Sequence, residues 1–519
     1  MMKGFWRQQA VKFAKFFATV TACLGILSCE EKPITPPRVQ PSAQDIFRPN
    51  ELTRAIYSAH LQLDPHFVKA VADAGPVRDL FVGLMKFSPE GNVIPAIAKE
   101  HFSDDGKTWL FILDEQAKWS NGEAVTAQDF VASWQRLSDP VNHSPLLMYL
   151  SYMGVMNAKE IRLGKLPPNT LGVEALNSHT LKMTLNAANF DLPKMLAHIA
   201  LLPTYQGIAP SPDNLISNGS YQLESYEKQR LVLKANQMLP FEKVIYQLIS
   251  TVKNPTRFDL IENPLTSYQL NERLLPRLCT YYYEFNFNDP YLSQKPIRQA
   301  IRAMISSSEI SRDLGIANYH ALPKTMSIGQ ARHLSTTSVE QLLGELGVES
   351  REPIRLTINY DEHSLHSKVA YRMARALGQS DLFRIHLQAV DFSQLLTKRH
   401  NQDFQLIRSG WCADYEDPIQ FLMPFHSDSL DNKSGYKNAW VDQQLETLHN
   451  NVLNSEKRQE IIASIVHKLE SDVAILPLFQ YYRRISVAPD IIGIVPTNSS
   501  EVIYSKDLSR QPIDTIKDK

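Results

Sequence analysis

Residues 353–411 read as strand, helix, strand, helix, strand, and that order leaves few folds open. PIRLTINYD (Pro353–Asp361), FRIHLQAVD (Phe383–Asp391) and DFQLIRSGW (Asp403–Trp411) carry the strand signal. SKVAYRMARALG (Ser367–Gly378) and FSQLLTKR (Phe392–Arg399) carry helical spacing between them. Strands joined through helices pair in parallel, because the crossover returns the chain to the end it left. Sheets of this kind meet their ligands beyond the carboxyl ends of the strands. The last strand runs into RSGWCADYEDP (Arg408–Pro418), so Asp414 stands where a ligand would be met. In an arbitrary sequence an aspartate at such a bend is more often a solvated turn residue.

An earlier stretch has a different character. WLFILDEQAKW (Trp109–Trp119) starts as a strand with Trp109, Phe111 and Leu113 on one face, and Asn121–Glu123 turns the chain. Thr126 followed by Asp129 predicts a capped helix start, with Phe130, Trp134 and Leu137 at helical spacing. HTLKMTLN (His179–Asn186) alternates Leu181, Met183 and Leu185 against polar residues, a half-buried strand. This section is expected to form an α+β unit of its own. A chain of 519 residues has room for more than one core.

The N-terminus reads as an export signal. Lys3, Arg7, Lys12 and Lys15 precede the apolar run FFATVTACLGIL (Phe16–Leu27), which is too short to span a bilayer. The run ends in ILSC, which resembles a lipoprotein cleavage site with Cys29 as the acylated residue, although Leu27 is larger than usual there. Residues 1–29 are therefore assigned to a lipoprotein signal peptide, and the proline-containing 30–45 to an extended tether. The protein is expected in the periplasm, lipid-anchored to a bacterial membrane. Of four cysteines, Cys23 leaves with the signal and Cys29 is lipidated, so Cys279 and Cys412 remain in an oxidising compartment. They are expected to form one disulfide, since no CxxC pair or matched histidine spacing supports zinc.

Longer segments carry a family resemblance. NVIPAIAKEHFSDDGKTWLFILDEQAKWSNGEAVTAQDFVASWQRLSDP (Asn92–Pro140) resembles the signature segment of the extracytoplasmic solute-binding proteins of peptide ABC transporters, family 5. LCTYYYEFN (Leu278–Asn286), RSGWCADYEDP, NGSYQLESY (Asn218–Tyr226) and AILPLFQYY (Ala474–Tyr482) match the oligopeptide-binding members in order. The resemblance runs from Asp64 to about Tyr504. It implies an α/β, two-lobed periplasmic-binding-protein fold with a hinge, plus an additional α+β domain. Lobe I is placed at 46–81, 206–278 and 483–519, the additional domain at 82–205 and lobe III at 279–482.

The implied function is binding of oligopeptides for delivery to a permease and ATPase complex, by a monomer. A protein that accepts many peptide sequences must read the backbone and the two charged ends. The resemblance implies that Asp414 pairs with the peptide's α-ammonium and that Gly410, Trp411 and Cys412 offer backbone groups. Arg399, Arg408 and His366 take carboxylate-binding positions, a role suited to the planar guanidinium. Glu284, Tyr282 and Tyr481 match further pocket positions, and Val71 keeps a strand position. The chain departs from the family pattern at Leu146, Arg277 and Lys69, and carries Asp361 where an asparagine is implied. Arg277 and Lys69 leave open an acidic ligand such as a murein peptide, the alternative on the same fold.

Other classes fit poorly. Lys+Arg and Asp+Glu stand at 54 and 55 with no basic stripe, against a nucleic-acid partner. No HExxH, GxSxG or P-loop is present, so an exported hydrolase is the weaker reading. DEHSLH (Asp361–His366) could suggest metal ligands, but reads more simply as a polar strand–helix connection. No cofactor and no metal are expected.

Overall fold

The computed structural model describes residues 50–511, apart from 59, 69–70, 228, 250–257, 265–270, 327–337, 363 and 452. The expected signal peptide, the tether, Cys29, Lys69 and His363 lie outside these residues.

The chain enters through β1 (Glu51–Ile56), where Leu52, Arg54 and Ile56 are buried and the alternate residues are not, the period of a strand. Helix α1 (Val71–Leu80) follows. Val71 thus opens a helix instead of standing in a strand, a correction to its expected position. Asp73 in that first turn suits the positive end of a helix, which a strand reading overlooks.

The α+β unit forms as its patterns predict. Strands β2 (Ala98–Phe102), β3 (Thr108–Leu113), β4 (Val173–Asn177) and β5 (Thr180–Thr184) make an antiparallel sheet in the order β2-β3-β5-β4. Trp109, Phe111, Leu113, Leu181 and Met183 are all buried. Helix α2 (Ala127–Ser138) packs against this sheet. Its first turn is held by the Asp129 carboxylate, which accepts from the Thr126 N–H at 2.8 Å and the Thr126 hydroxyl at 2.9 Å. Helix α3 (Met148–Tyr152) projects from the same unit.

The chain then returns beside β1 through β6 (Tyr221–Glu227), β7 (Arg230–Ala235), β8 (Lys243–Leu248) and β9 (Leu260–Glu262). Strand β10 (Asn271–Phe285) carries it away. The predicted alternation follows as β11 (Ile354–Asp361), α4 (Ser364–Leu377), β12 (Phe383–Val390), α5 (Phe392–His400) and β13 (Leu406–Cys412). Both β11–β12 and β11–β13 pair in parallel, as helical crossovers require. After α6 (Ser455–Asp472), β14 (Ile475–Val487) brings the chain back.

One eleven-stranded sheet therefore runs through the molecule in the order β12-β11-β13-β10-β14-β9-β1-β8-β7-β6, with Ile316–Ala317 paired to β14 off this path. The long antiparallel pair β10–β14 joins its two halves. Its register breaks between Pro276 and Thr280: Pro276 faces Tyr482, and the next pair is Thr280 with Gln480. Proline has no N–H to give a ladder, and extra residues on one strand force a bulge and a bend. Separate hydrophobic cores lie on the two sides. Leu52, Phe81, Phe130, Trp134, Tyr246 and Ile485 belong to one. Tyr281, Phe285, Ile358, Val369 and Phe479 belong to a second, and Phe421, Leu445 and Ile465 to a third. The architecture is two α/β lobes with the additional α+β domain.

Candidate functional site

Strand β13 is half covered. On one side it pairs with β10 from Cys279–Cys412 to Phe285–Leu406. On the other it meets β11 only at Leu406 and Ile407. From Arg408 onward that second edge has no strand partner among the described residues. The Ala413 N–H donates to the Leu278 carbonyl at 2.8 Å, so odd-numbered residues turn their backbone groups toward β10. Alternation then turns the backbone groups of Gly410 and Cys412 to the open edge. Gly410 is required by packing, because a Cβ there would lie 2.6 Å from the Thr280 carbonyl oxygen. Cys279 and Cys412 face each other in register and are joined by a disulfide, which fastens the end of β13 to β10.

Two aspartates follow on the same loop with opposite surroundings. Asp417 is buried and takes Arg458 at 2.7 and 2.8 Å, the Ile419 N–H at 2.9 Å, and the Lys194 ammonium from the α+β domain. Burial alone would raise its carboxyl, but the two cations hold it below the ordinary value. Asp414 has no hydrogen bond or ion pair in the described structure. Its side chain reaches solvent, yet the surrounding protein removes enough water to push its carboxyl above the ordinary aspartate value, with nothing offsetting that rise. Tyr149 and Tyr152 on α3 lie close enough to feel its charge: burial first, and Asp414 second, push both phenols up. The Tyr152 hydroxyl donates to Gln420 at 3.4 Å across the gap between α3 and this loop.

The two arginines expected at the carboxylate end lie on opposite faces of the β10–β13 ribbon. Tyr283 faces Arg408 and Tyr281 faces Gly410 on one side, while Tyr282 faces Ser409 and Glu284 faces Ile407 on the other. On the first side Arg408 Nη2 donates to His366 Nε2 at 3.0 Å. Its guanidinium lies 5.6 Å above the Tyr281 ring, and Nε stands 3.6 Å from Asp361 Oδ1. The His366 Nδ1 meets the Tyr281 hydroxyl at 3.1 Å. Burial works against the Arg408 charge, but Tyr481, Tyr281 and Asp361 outweigh it and hold it firmly protonated. Burial also pushes the Tyr481 phenol up.

On the second side Arg399 forks onto Glu284 at 2.9 and 2.7 Å and onto the Asp431 carbonyl at 2.9 Å. The Ser409 hydroxyl donates to the same Glu284 at 3.0 Å. Glu284 and Tyr282 are buried at 4% and 5% exposure, so they lie beneath the open edge instead of lining it. Trp411 packs on the third core with its indole N–H buried and unpartnered. Arg277, read from the sequence as a possible anion contact, is held by Glu501 at 2.6 Å. The Asp417 cluster escaped sequence reading because its two cations come from residues 194 and 458. Among the described residues no group of three or more His, Cys, Asp or Glu side chains could hold a metal ion, and no helix is long and apolar enough to cross a membrane.

Two α/β lobes on one continuous sheet, beside an additional α+β domain, are the architecture of a solute-binding protein. The sequence profile of bacterial extracellular solute-binding proteins, family 5 Middle, matches residues 92–433, and the chain belongs to that family. It is a binding protein and not an enzyme. A Haemophilus influenzae binding protein without a named ligand is 41% identical over 97% of this chain and 98% of its own length. The periplasmic oligopeptide-binding protein OppA of Salmonella typhimurium is 31% identical over 86% of this chain and 90% of its own. The unliganded open form of the periplasmic murein tripeptide-binding protein MppA superposes with a TM-score of 0.82 at 27% identity, covering 89% of this chain and 98% of that one. Another structure of MppA, from Escherichia coli, has the same identity and coverage but a TM-score of 0.62.

Proposed function

We propose that this protein binds short peptides in the periplasm and hands them to the permease and ATPase of an ABC importer. The observation that carries this reading is Asp414: a carboxylate without a partner among the described residues, at the end of a strand whose outer edge also lacks a strand partner among them. A peptide supplies what both lack, an α-ammonium for the charge and a backbone for the edge. Gly410 and Cys412 then present the edge, and His366, Arg408 and Tyr481 stand beside the remainder of the ligand, while the backbone of Trp411 is taken by β10 and Tyr282, Glu284 and Arg399 support the ribbon from its other face. The lobes are proposed as 46–81, 206–278 and 483–519 against 279–482, with 82–205 as the additional domain and the Pro276–Thr280 bulge at their hinge. The similarity to OppA supports a peptide ligand, and the similarity to MppA keeps murein peptides in that class. The pairing of Arg277 with Glu501 weakens one argument for an acidic ligand.

Calorimetry with a tripeptide, free and N-acetylated, against wild type and Asp414→Asn tests the reading. In a closed cleft, removing one partner of a buried pair costs about 3–5 kcal/mol, on the order of a hundred- to several-thousand-fold in affinity. Acetylation and the substitution are expected to cause that loss singly and not to add. Equal affinity for free and acetylated peptide would refute the role of Asp414. The protein is further proposed to work as a monomer held to the membrane through Cys29. Cys29→Ala is expected in the soluble fraction with peptide binding intact, and its retention in membranes would count against the anchor.

A further inference from the structure

Arg399 and Arg408 are the cations that the sequence resemblance assigns to a ligand's carboxylate, and each already has an acid of its own. Glu284 takes Arg399 through two parallel hydrogen bonds of 2.9 and 2.7 Å. Asp361, which ends β11 and is 7% exposed, stands 3.6 Å from Arg408 Nε and 3.6 Å from His366 Nε2. Its Oδ1 and the Arg408 Nε are both buried without a hydrogen bond, so the two charges are matched through space. The remaining face of Arg408 is engaged by His366, Tyr281 and Tyr481.

A ligand carboxylate taking the Nε side of Arg408 must displace the influence of Asp361, and one taking the fork of Arg399 must displace Glu284. The displaced acid would stay behind, buried and uncompensated, which is strongly unfavourable. Exchanging one carboxylate for another across the same arginine gains little, so a free carboxyl end brings the peptide almost no affinity here. Asp414 presents the opposite case, since no cation among the described residues pairs with it. The two ends of the pocket therefore differ in what they demand.

We propose, building on the peptide-binding reading above, that the cleft reads only the ammonium end of its ligand. Asp361 is the specificity-determining residue that withholds Arg408 from a ligand carboxylate. The preferred substrates are peptides with a free α-ammonium whose carboxyl end is uncharged or lies beyond this pocket.

Calorimetry on trialanine, trialanine amide and N-acetyl-trialanine, with wild type and Asp361→Asn, tests this. Wild type binds the acid and the amide within about threefold of each other, the range of an ion pair already compensated. Asp361→Asn, which keeps the shape and drops the charge, favours the acid by roughly tenfold or more. Acetylation abolishes binding in both proteins. A loss of tenfold or more on amidation in wild type overturns the proposal, as does an acid-to-amide ratio unchanged by Asp361→Asn. The wild-type ratio decides alone if the variant folds poorly. Loss on amidation together with loss on acetylation removes only this inference, whereas indifference to acetylation removes the peptide reading with it.

Discussion

Asp414 and Asp417 show how far single residues can be read from a sequence. Both sit in one acidic loop, and composition cannot separate them. Position did single out Asp414, because it lies just past a strand of a parallel sheet. The neutralisation of Asp417 by Lys194 and Arg458 was not legible, since those residues are 223 and 41 positions away. The same holds for Arg399 and Arg408: their identity was plain, but not that Glu284 and Asp361 already engage them. The raised carboxyl of Asp414 gives a pH test with a definite sign. Its ionised form is the one short of water, so the folded state holds the proton more tightly than an open chain does. Ionisation is thus mildly unfavourable to the fold above that raised value, and the penalty vanishes as pH falls through it. Peptide binding needs the ionised form and runs the other way. Affinity is expected to be full above the raised value and to fall by up to about tenfold per pH unit below it. The fall begins at a higher pH than an ordinary aspartate would give, and Asp414→Asn shows no such step. A wild-type profile that stays flat until ordinary aspartate titration would contradict the assignment.

At the scale of elements, periodicity was a reliable guide where an element is short and one-faced. The three strands and two helices between 354 and 412, and the capped helix after Thr126, formed where their patterns placed them. The pair β10–β14 was harder. Its strands run 15 and 13 residues, pass from one core to another and change register at Pro276, so no single alternation describes them. The disulfide is the element-scale device that matters most for the site, since it anchors β13 where half its edge is unpaired. It closes a loop with a sequence separation of 133. Replacing both cysteines, Cys279→Ser with Cys412→Ser, is expected to lower stability by about 2–5 kcal/mol in denaturant titration. It should also weaken peptide binding, because the strand end would no longer be held to β10. Reductant should reproduce both effects in wild type and change nothing in the double variant. Unchanged stability in the double variant would show that the β10–β13 ladder alone fixes the site.

Two lobes joined through the β10–β14 pair can stand apart or close on a ligand, and that equilibrium belongs to the whole molecule. A ligand shifts such an equilibrium only by binding the closed state better than the open one. Moving it from about 1:99 to 99:1 needs a differential of roughly 5.5 kcal/mol. Asp414 can supply much of that: in the open state its carboxylate reaches solvent, while a closed cleft would bury it against the ammonium for about 3–5 kcal/mol. Backbone bonds along Gly410 and Cys412 would add the rest. Small-angle scattering on wild type saturated with trialanine is therefore expected to show a smaller radius of gyration than the free protein. Asp414→Asn, saturated at the higher peptide concentration it requires, should remain largely expanded, because the missing interaction is the one that favours closure. A variant that closes as fully as wild type would mean that the backbone edge alone drives the hinge, and that Asp414 selects the ligand without moving the lobes.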